Sequence, residues 1–365
     1  MPAESTDTWS AIILAAGEGT RMKSDRPKVL HEVAGRSLVS WVVQAALDAG
    51  ASRCIVVVGH ARAQVEAELR KRFGPQVETA LQPSQNGTGD AVRCALDADP
   101  GLQGPVLVLY GDCPLIPANV LSALVQQTGQ SGADCGLVTA RLADPRGYGR
   151  IVRDASGMVS RIVEDRDCSD KERAIDEVNP GLYAFRDAFL REAIGTLNPD
   201  NAQGQLYLTD VVELAAGRGR VVDMRGDMSD LAGVNDQRDL AVADATRRRA
   251  IAEELARSGV VVTDLDTLYV DADCEIEPRA SLGANVHLRG RCVIGANARI
   301  DTGCVLTDVV VESDAVVLPY TVATDSTIGQ AAQVGPFAHL RPRSVLGPKS
   351  KVGNFSETKK TTLGE

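Results

Sequence analysis

The residues whose types and spacing best suit chemistry lie in a short stretch that starts at position 14 and is followed by a proline and a lysine. Glycines at positions 17 and 19 let the backbone bend tightly and turn several N–H groups towards an anion, and two cations add fixed positive charge. The stretch is therefore predicted to hold a polyphosphate. Its residues are Leu14, Ala15, Ala16, Gly17, Glu18, Gly19, Thr20, Arg21 and Met22, followed by Pro27 and Lys28.

The surrounding pattern places this stretch at the end of a strand. Residues 11–14 form an apolar run short enough for a buried parallel strand, and residues 38–46 repeat apolar side chains at helical spacing. Open α/β sheets bind their ligands at the carboxyl ends of such strands. A dinucleotide fingerprint does not match, because Met22 stands where a small residue is needed, and the Gly-Lys-Ser/Thr of a Walker A loop is absent. A plain glycine-rich turn is the alternative, and the two cations argue against it.

Further polar residues follow or adjoin other predicted elements. Asp112 stands at the carboxyl end of the buried run 106–110, where a carboxylate can bind a metal ion beside phosphates. An aspartate that caps the turn before Pro114 is the alternative. Residues 82–89 are polar and glycine-rich and open a helix, which by itself is equally typical of an ordinary helix start.

The composition argues against several classes of partner. A formal net charge of −10 and a pI near 5.1 argue against nucleic acid and anionic membranes, which bind basic surfaces. The eight cysteines are scattered without a C-x-x-C pair, which favours reduced thiols over disulfides or zinc. The polar start and the lack of an apolar run of bilayer length predict a soluble, cytoplasmic protein.

With 365 residues the chain is too long for one typical core, so two domains are predicted. In the domain predicted over residues 1–236, strand-like runs alternate with helical patterns up to about residue 127, and the part that follows is richer in strands, at 149–153, 159–164 and 181–185. This alternation indicates βαβ units, a mostly parallel sheet with helices on both faces, and a doubly wound, Rossmann-like nucleotide-binding domain. A linker helix is predicted over residues 237–259, because the helical pattern ends at Gly259.

Residues 260–365 change to a period of six. Aliphatic residues at this spacing predict a parallel β-helix, in which each short strand forms one side of a coil and points one aliphatic side chain into the core. A solenoid buries its faces against neighbours, so self-association is expected. The periodic residues are Val270, Ile276, Leu282, Leu288, Ile294, Ile300 and Leu306, then Val311, Val317 and Val322 at irregular steps, then Ile328, Val334, Leu340, Leu346 and Val352.

The phosphate stretch, together with Pro27 and Lys28, resembles the signature of sugar-1-phosphate nucleotidyltransferases. Within that group the chain most closely resembles the bifunctional bacterial enzymes that combine N-acetylglucosamine-1-phosphate uridylyltransferase and glucosamine-1-phosphate acetyltransferase. The resemblance implies transfer of a uridylyl group from UTP to N-acetylglucosamine 1-phosphate, which gives pyrophosphate and UDP-N-acetylglucosamine for cell-wall and lipopolysaccharide synthesis. Because the attacking phosphate oxygen is already an anion, catalysis is expected from positioning and charge neutralisation rather than from a general base.

The resemblance also implies roles for individual residues. Arg21 and Lys28 would be the catalytic cations, and Asp112 and Asn235 would hold Mg²⁺, which takes its other ligands from water and substrate phosphate. The nucleotide would contact Leu14, Ala15, Ala16, Gly17, Gln82, Gly87, Thr88, Tyr110 and Gly111. The sugar phosphate would contact Tyr148, Gly149, Glu164, Asn179, Tyr207 and Thr209.

Four residues depart from the pattern of that family. Pro180 stands where a small hydroxyl residue is usual, Gln205 where glutamate is usual, Leu206 where an aromatic residue is common, and Arg166 where lysine is usual. They are expected to affect the sugar site and to leave the triphosphate site untouched.

The periodic half resembles the acetyltransferase domain of the same family, whose left-handed β-helices form trimers. Arg341 and Lys359 match two cationic sugar-phosphate contacts of that domain. The sequence stops at Glu365, before the segment with the catalytic histidine and the acetyl-CoA-binding coils, so we expect a truncated, incomplete β-helix and no acetyltransferase activity. A homotrimer is expected through this half, without nucleic-acid or membrane partners.

Two other functions stay open from the sequence. One is a pyrophosphorylase for another nucleotide or sugar, against which Gln82, Gly87 and Thr88 argue. The other is a catalytically silent regulatory subunit of the same layout, in which the catalytic cations or the strand-end aspartate would be lost, although all are present here. A pure β-helix scaffold would leave the phosphate stretch unexplained.

Overall fold

The chain forms two compact units in a computed structural model that describes residues 8–364. The first unit comprises the residues up to His31 together with Ser37–Leu240, and the second comprises Glu32–Arg36 together with the residues from Ala241 onward. No helix within residues 8–364 is both long and apolar enough to cross a membrane. All eight cysteines are free thiols.

The regular elements up to the end of the long connecting helix are numbered in chain order. Strands β1 to β12 span Ser10–Leu14, Glu32–Val33, Arg36–Ser37, Arg53–Val58, Val77–Leu81, Val106–Tyr110, Cys135–Arg141, Gly149–Arg153, Val159–Val163, Glu177–Asn179, Tyr183–Phe185 and Val221–Arg225. Helices α1 to α9 span Leu38–Asp48, Arg62–Phe73, Thr88–Ala98, Ala118–Ser131, Asp170–Arg173, Asp187–Ile194, Thr209–Gly217, Met228–Leu231 and Gln237–Arg257. Short 3-10 helices span Thr20–Met22, Lys28–Leu30 and Gly74–Gln76.

The sheet of the first unit is mixed rather than mostly parallel, which corrects the prediction from the sequence. Its order is β5-β4-β1-β6-β11-β7-β10-β8-β9, with β12 beside β7. Strands β5, β4, β1 and β6 are parallel, whereas β11 runs antiparallel to both β6 and β7. The short link at residues 154–158 between β8 and β9 forces an antiparallel pair, because a parallel neighbour needs a crossover of about a dozen residues.

Helices cover both faces of this sheet, as the doubly wound prediction requires. Successive residues of β1 point to opposite sides, so Ile13 packs with apolar side chains of α1, α2 and α4, whereas Ile12 packs with those of α3, α6 and α7. Both isoleucines are fully buried. Burial of such a side chain stabilises the fold by about 1.5–3 kcal/mol, so β1 is a firm support for the loop that follows it.

The second unit is the parallel β-helix that the period of six predicts. Strands β13 to β28 span Val261–Val262, Tyr269–Val270, Glu275–Ile276, Ser281–Leu282, His287–Arg289, Val293–Ile294, Arg299–Ile300, Val305–Val311, Val316–Val317, Val322–Ile328, Gln333–Val334, His339–Leu340, Ser344–Leu346, Lys351–Val352, Glu357–Thr358 and Thr362–Leu363. They form three parallel ladders, one along each side of the left-handed coil. Inward residues such as Leu282, Ile300 and Val334 are fully buried.

One predicted core position of the β-helix is wrong. Val322 is 38% exposed, and Ala323 takes the inward place between Leu306 and Leu340. Leu288 pairs with Leu306 at the full spacing of three hexapeptides, but Leu306 pairs with Ala323 at one residue less. Strand β20 runs unbroken from one ladder into the next, and its inward residues Leu306 and Val311 are one residue closer in the chain than the period of six, which shortens this coil.

Helix α9 begins at Gln237, as predicted, and ends at Arg257, before Gly259 with φ +97°. The predicted domain limits at residues 236 and 259 stay predictions. The structure adds that Glu32–Arg36 belongs to the second unit, where the Ala34 N–H donates to Asp244 Oδ1 (2.7 Å) and Arg36 Nη2 bonds Asp273 Oδ1 (2.5 Å).

Candidate active site

The candidate site of the first unit starts where two neighbouring parallel strands end together. Leu14, the last residue of β1, lies in register with Tyr110, the last residue of β6. The N–H of Gly111 then donates to the Leu14 carbonyl at 2.9 Å. The phosphate stretch and Asp112 therefore leave the same edge of the sheet side by side, as the sequence predicts.

The second glycine of the phosphate stretch is needed for two reasons. Gly19 has φ +65°, a left-handed conformation that side chains with a Cβ rarely adopt. A Cβ at this position would also lie 2.3 Å from Lys28 Cβ. Gly19 thus lets the Lys28 side chain pass close to the loop, whereas Gly17 is exposed and a Cβ there would meet open space.

The two predicted cations converge on the two predicted metal ligands. Lys28 Nζ is hydrogen-bonded to Asp112 Oδ2 and lies 3.4 Å from Asn235 Oδ1. Arg21 Nη2 donates to the same Asn235 oxygen at 2.7 Å. The N–H of Val234 donates to the Asp112 carbonyl at 2.9 Å, which fixes Asn235 beside the aspartate. Oxygen and nitrogen atoms from three distant parts of the chain thus meet at one point.

This donor set suits a divalent cation that keeps several of its waters. Asp112 offers a carboxylate oxygen and Asn235 an amide oxygen. Both oxygens lie next to Lys28 Nζ, so they are close to each other. Residues 8–364 contain no group of three or more His, Cys, Asp or Glu side chains that could hold a metal by themselves. A metal at this point would need further ligands from water or from a bound phosphate.

A cavity of about 380 Å³ extends from this point over the phosphate stretch. Gln82, 5% exposed, donates through Nε2 to the Gly87 carbonyl (3.0 Å) and to Asp90 Oδ2 (2.9 Å). These bonds fix the orientation of the amide and leave its carbonyl oxygen for a donor on a ligand. The cavity is lined by Leu14, Ala15, Ala16, Gly17, Gly19, Thr20, Arg21, Lys28, Val29, Gln82, Gln85, Gly87, Thr88, Ala91, Tyr110, Asp112, Gln205 and Asn235.

A second cavity, of about 270 Å³, lies on the other side of Tyr110. It shares Arg21, Tyr110, Asp112 and Asn235 with the first, so the charged cluster lies where the two cavities meet. The remaining lining residues are Cys113, Arg146, Gly147, Tyr148, Gly149, Glu164, Asn179, Pro180 and Gly233.

Tyr110 forms the wall between the cavities, and Gly181 supports it. Gly181 has φ +87°, and a Cβ there would lie 1.9 Å from Cε2 of the tyrosine ring.

Asn179 is 7% exposed, and its amide is fixed at both ends, because Nδ2 donates to the Tyr183 hydroxyl (2.5 Å) and Oδ1 accepts from Gly181 N (3.1 Å).

Glu164 is the partly buried carboxyl group of the second cavity. Its Oε1 accepts a hydrogen bond from Thr209 Oγ1 at 3.1 Å, and burial raises the pKa of the carboxyl group above its ordinary value. Thr209 is itself buried and reaches the cavity through this bond. Tyr207 is also buried, and its hydroxyl accepts from Gln203 Nε2 at 2.7 Å.

Replacing Glu164 by glutamine is expected to stabilise the fold at neutral pH. The pKa of this carboxyl group is higher in the folded protein than in the unfolded chain, so ionising it lowers the free energy of unfolding, which falls as pH rises through that range. Glu164→Gln removes this effect. Thermal unfolding should show a higher Tm for the variant at about pH 8 and little difference at about pH 4.

Glu172 provides a matched control, because its pKa is shifted in the opposite direction to that of Glu164. Its pKa is lowered, chiefly because the Ser169 hydroxyl donates to the carboxylate. Glu172→Gln should therefore lower the Tm at about pH 8 and lose this effect as the pH falls towards 4. The same response from both variants would contradict the assignment.

The structure places two of the departing residues beside the polar, glycine-rich segment 82–89, so they adjoin the first cavity, and the expected effect on the sugar site stays a prediction. Gln205 lines the first cavity, and a Cβ at Gly87 would lie 2.9 Å from its Cβ. Leu206 N donates to Asn86 O (2.8 Å) and Leu206 O accepts from Gly89 N (2.8 Å). Pro180 lines the second cavity, as expected.

Sequence reasoning missed two arginines near the second cavity. Arg146 lines it, and Arg150 lies behind its wall. The signal that could have indicated them is the run from 146 to 150, Arg-Gly-Tyr-Gly-Arg, which combines a Gly-x-Gly spacing with cations as the phosphate stretch does.

The two residues matched to an acetyltransferase site lie in the second unit. Arg341 follows β24 and bonds Glu357 Oε1 through Nη1 at 2.8 Å. Lys359 is exposed just after β27.

Comparison with known proteins gives matches over nearly the whole chain. The family model described as the MobA-like NTP transferase domain matches residues 11–197, and the GMPPB C-terminal domain matches residues 265–363. The bifunctional protein GlmU of Sorangium cellulosum is 51% identical over 359 residues, which cover 97% of this chain and 76% of that protein. GlmU of Thermobifida fusca is 47% identical over 362 residues, which cover 98% of this chain and 74% of that protein.

A solved structure gives a more distant likeness. It is described as a glucose-1-phosphate thymidylyltransferase from Bacillus anthracis and superposes with a TM-score of 0.55 at 19% identity. The match covers 66% of this chain and 96% of the other. At this identity the likeness shows a shared fold alone.

Proposed function

Since this chain belongs to the family of the bifunctional GlmU proteins and has their N-acetylglucosamine-1-phosphate uridylyltransferase activity, we propose that its two cavities bind the two substrates. UTP would occupy the cavity over the phosphate stretch, and N-acetylglucosamine 1-phosphate the cavity beyond Tyr110. The products are UDP-N-acetylglucosamine, a precursor of the cell wall, and pyrophosphate.

The observation that carries this assignment is the charged cluster at the junction of the cavities. Arg21, Lys28, Asp112 and Asn235 meet where a phosphate from each side would come together. An oxygen of the sugar phosphate attacks the α-phosphorus of UTP there, and the bond from that phosphorus to the β-phosphate oxygen breaks. The nucleophile is already ionised, so the two cations act by holding the phosphates in line and neutralising charge.

Asp112 and Asn235 would hold the divalent metal that nucleotidyltransferases of this family generally use, and we propose that the metal is Mg²⁺. A carboxylate and an amide oxygen fit its preference for hard oxygen ligands, with the other positions left to water and phosphate. Bound there, Mg²⁺ would supply charge stabilisation to the reacting phosphate.

Metal removal is expected to abolish the reaction. Excess EDTA should stop pyrophosphate release, and added Mg²⁺ should restore it. Calcium has the same charge and is less strict about geometry, so Ca²⁺ should restore less activity than Mg²⁺ does. Full activity after exhaustive chelation would contradict the proposed ligand pair.

The fixed amide of Gln82 supports uridine as the nucleoside. Its Nε2 is committed to Gly87 and Asp90, so its Oε1 can accept from the N3–H of uracil. Cytosine carries an acceptor at that ring position and would face the oxygen without a proton between them. Gly87 and Thr88 complete this end of the cavity.

The second cavity suits a hydroxyl-rich sugar phosphate. Glu164 offers a carboxylate to sugar hydroxyls, Gly149 brings the backbone close, and Arg146 adds a cation at the wall. Thr209 would support Glu164 from behind, since it bonds the carboxylate.

The test is pyrophosphate release from UTP and Mg²⁺ with different acceptors. Release should be fastest with N-acetylglucosamine 1-phosphate, and slower with glucosamine 1-phosphate or glucose 1-phosphate. CTP should replace UTP poorly, by about tenfold or more, because one hydrogen bond is lost and one buried acceptor is left unpaired. A preference for another nucleotide or sugar phosphate would favour a different pyrophosphorylase. No release from a folded protein would favour a silent subunit.

Three further expectations stay predictions. Self-association through the β-helix should give three copies by sedimentation analysis. The cytoplasmic location stays a prediction from the scattered cysteines and the lack of an apolar run of bilayer length. Absence of acetyltransferase activity in the 365-residue chain is checked by release of free coenzyme A from acetyl-CoA with glucosamine 1-phosphate, and appearance of the thiol would overturn it.

A further inference from the structure

Arg150, the second residue of β8, is a charged side chain that is almost completely buried. It is 1% exposed and is the one lysine or arginine among residues 8–364 that is classed as buried. Its Nε has no hydrogen-bond partner within the described part of the chain. Burying a guanidinium group costs free energy, and a partly unpaired one more so, which makes stability a weak reason for an arginine here.

The two ends of the guanidinium instead connect two walls of the sugar-phosphate cavity. Nη1 donates to the backbone carbonyl of Tyr148, and Nη2 donates to Asp165 Oδ1 at 2.9 Å. Tyr148 lines the cavity, and Asp165 directly follows Glu164, which also lines it. The planar fork of an arginine fixes two such acceptors at a set separation, which the single ammonium of a lysine cannot do.

Strand β8, which carries Arg150, also pairs with the strand that brings Asn179 to the cavity. In β8, Gly149 pairs with Asn179 of β10, and Arg150 pairs with Val163, the last residue of β9 and the residue before Glu164. The side chain therefore lies behind the point where the strand ends bearing Gly149, Glu164 and Asn179 come together.

We propose that Arg150 is a positioning residue of the uridylyltransferase, which acts on the sugar phosphate through Tyr148 and Glu164 without touching it. The inference rests on the function proposed above. In this proposal, the two hydrogen bonds of the buried Arg150 side chain set the distance between the wall at Tyr148 and the wall at Glu164. That distance determines how the sugar fits.

Arg153 on the same strand is a matched control. Its guanidinium is also paired twice, with Glu177 Oε1 (2.6 Å) and Asp223 Oδ2 (2.7 Å), and it lines neither substrate cavity. Arg150 forms one ion pair and one bond to a carbonyl, whereas Arg153 forms two ion pairs, so a variant at Arg153 loses at least as much pairing and leaves the substrate walls alone.

The experiment compares Arg150→Lys, Asp165→Asn and Arg153→Lys in the full chain. Arg150→Lys should raise KM for N-acetylglucosamine 1-phosphate by about tenfold or more, with KM for UTP within about twofold of the wild type, because only the sugar walls lose their spacing. Asp165→Asn should raise the same KM by a smaller factor. Arg153→Lys should change Tm and neither KM.

Calorimetric titration of N-acetylglucosamine 1-phosphate into each folded variant measures its affinity directly. The affinity should fall in the variants whose KM for this substrate rises. An unchanged KM and affinity in Arg150→Lys would overturn the proposal, as would equal rises in both KM values. If Arg150→Lys does not fold, Asp165→Asn decides: an unchanged KM for the sugar phosphate overturns the proposal. Failure of the proposed function is distinct, because the wild type itself would then not use this acceptor.

Discussion

Replacing Lys28 by alanine is expected to lower kcat for pyrophosphate release by about 10² to 10³, the scale measured for single preorganised electrostatic groups. The Lys28 ammonium bonds Asp112, lies 3.4 Å from Asn235 Oδ1, and is only 13% exposed. A positive charge in such a partly dehydrated place acts strongly on the charge that develops as the phosphates react. Because this gain is made mainly in the transition state, kcat should fall more than KM for UTP rises.

Lys23→Ala is the control for this variant. Lys23 is an exposed lysine just after the phosphate stretch and lines neither cavity. It should keep kcat within about twofold of the wild type, since an exposed charge is screened by solvent. A folded Lys28→Ala protein that loses less than about tenfold would remove Lys28 from the proposed mechanism.

Asp112→Asn is expected to have a comparable or larger effect, a loss of roughly 10³ in kcat at ordinary Mg²⁺ concentration. The substitution keeps the shape of the side chain and removes the one carboxylate of the proposed ligand pair. A metal Lewis acid contributes several kcal/mol of charge stabilisation, which corresponds to about three orders of magnitude in rate. The variant also leaves Lys28 without the anion it bonds.

A titration of activity against Mg²⁺ separates these two consequences. Weaker metal binding should shift the half-saturating Mg²⁺ concentration upward, whereas misplacement of Lys28 alone would lower kcat at every concentration. Asp48→Asn is the control, because Asp48 is an exposed aspartate of α1 that accepts a hydrogen bond from Gln44 Nε2 (2.8 Å) and lines neither cavity. An unchanged Mg²⁺ dependence in Asp112→Asn would contradict its role as a ligand.

The β-helix shows what a repeat pattern in the sequence can and cannot predict. A period of six is a local property, so the sequence predicts the coil and most of its inward residues. It misplaces Val322, because the coil between Leu306 and Ala323 is shortened where one strand, β20, turns a corner without a break. Only the pairing between coils reveals which neighbour points inward.

The sheet of the first unit shows the same limit. Alternating patterns predict βαβ units, and the parallel strands β5, β4, β1 and β6 confirm that part. The antiparallel half was not predicted, because the direction of a strand depends on the length and path of its connection rather than on its own residues.

By itself the sequence determined the parts of the site that lie close together in the chain. Glycine spacing, the two cations and the strand that precedes them indicate a phosphate loop, because backbone freedom and local charge need no partner. The tertiary structure decided what faces that loop. Asn235 meets Lys28 from more than two hundred residues away, Gln205 packs on Gly87, and Arg150 fixes two walls from behind. Such contacts follow from strand register and loop path, which no local pattern specifies.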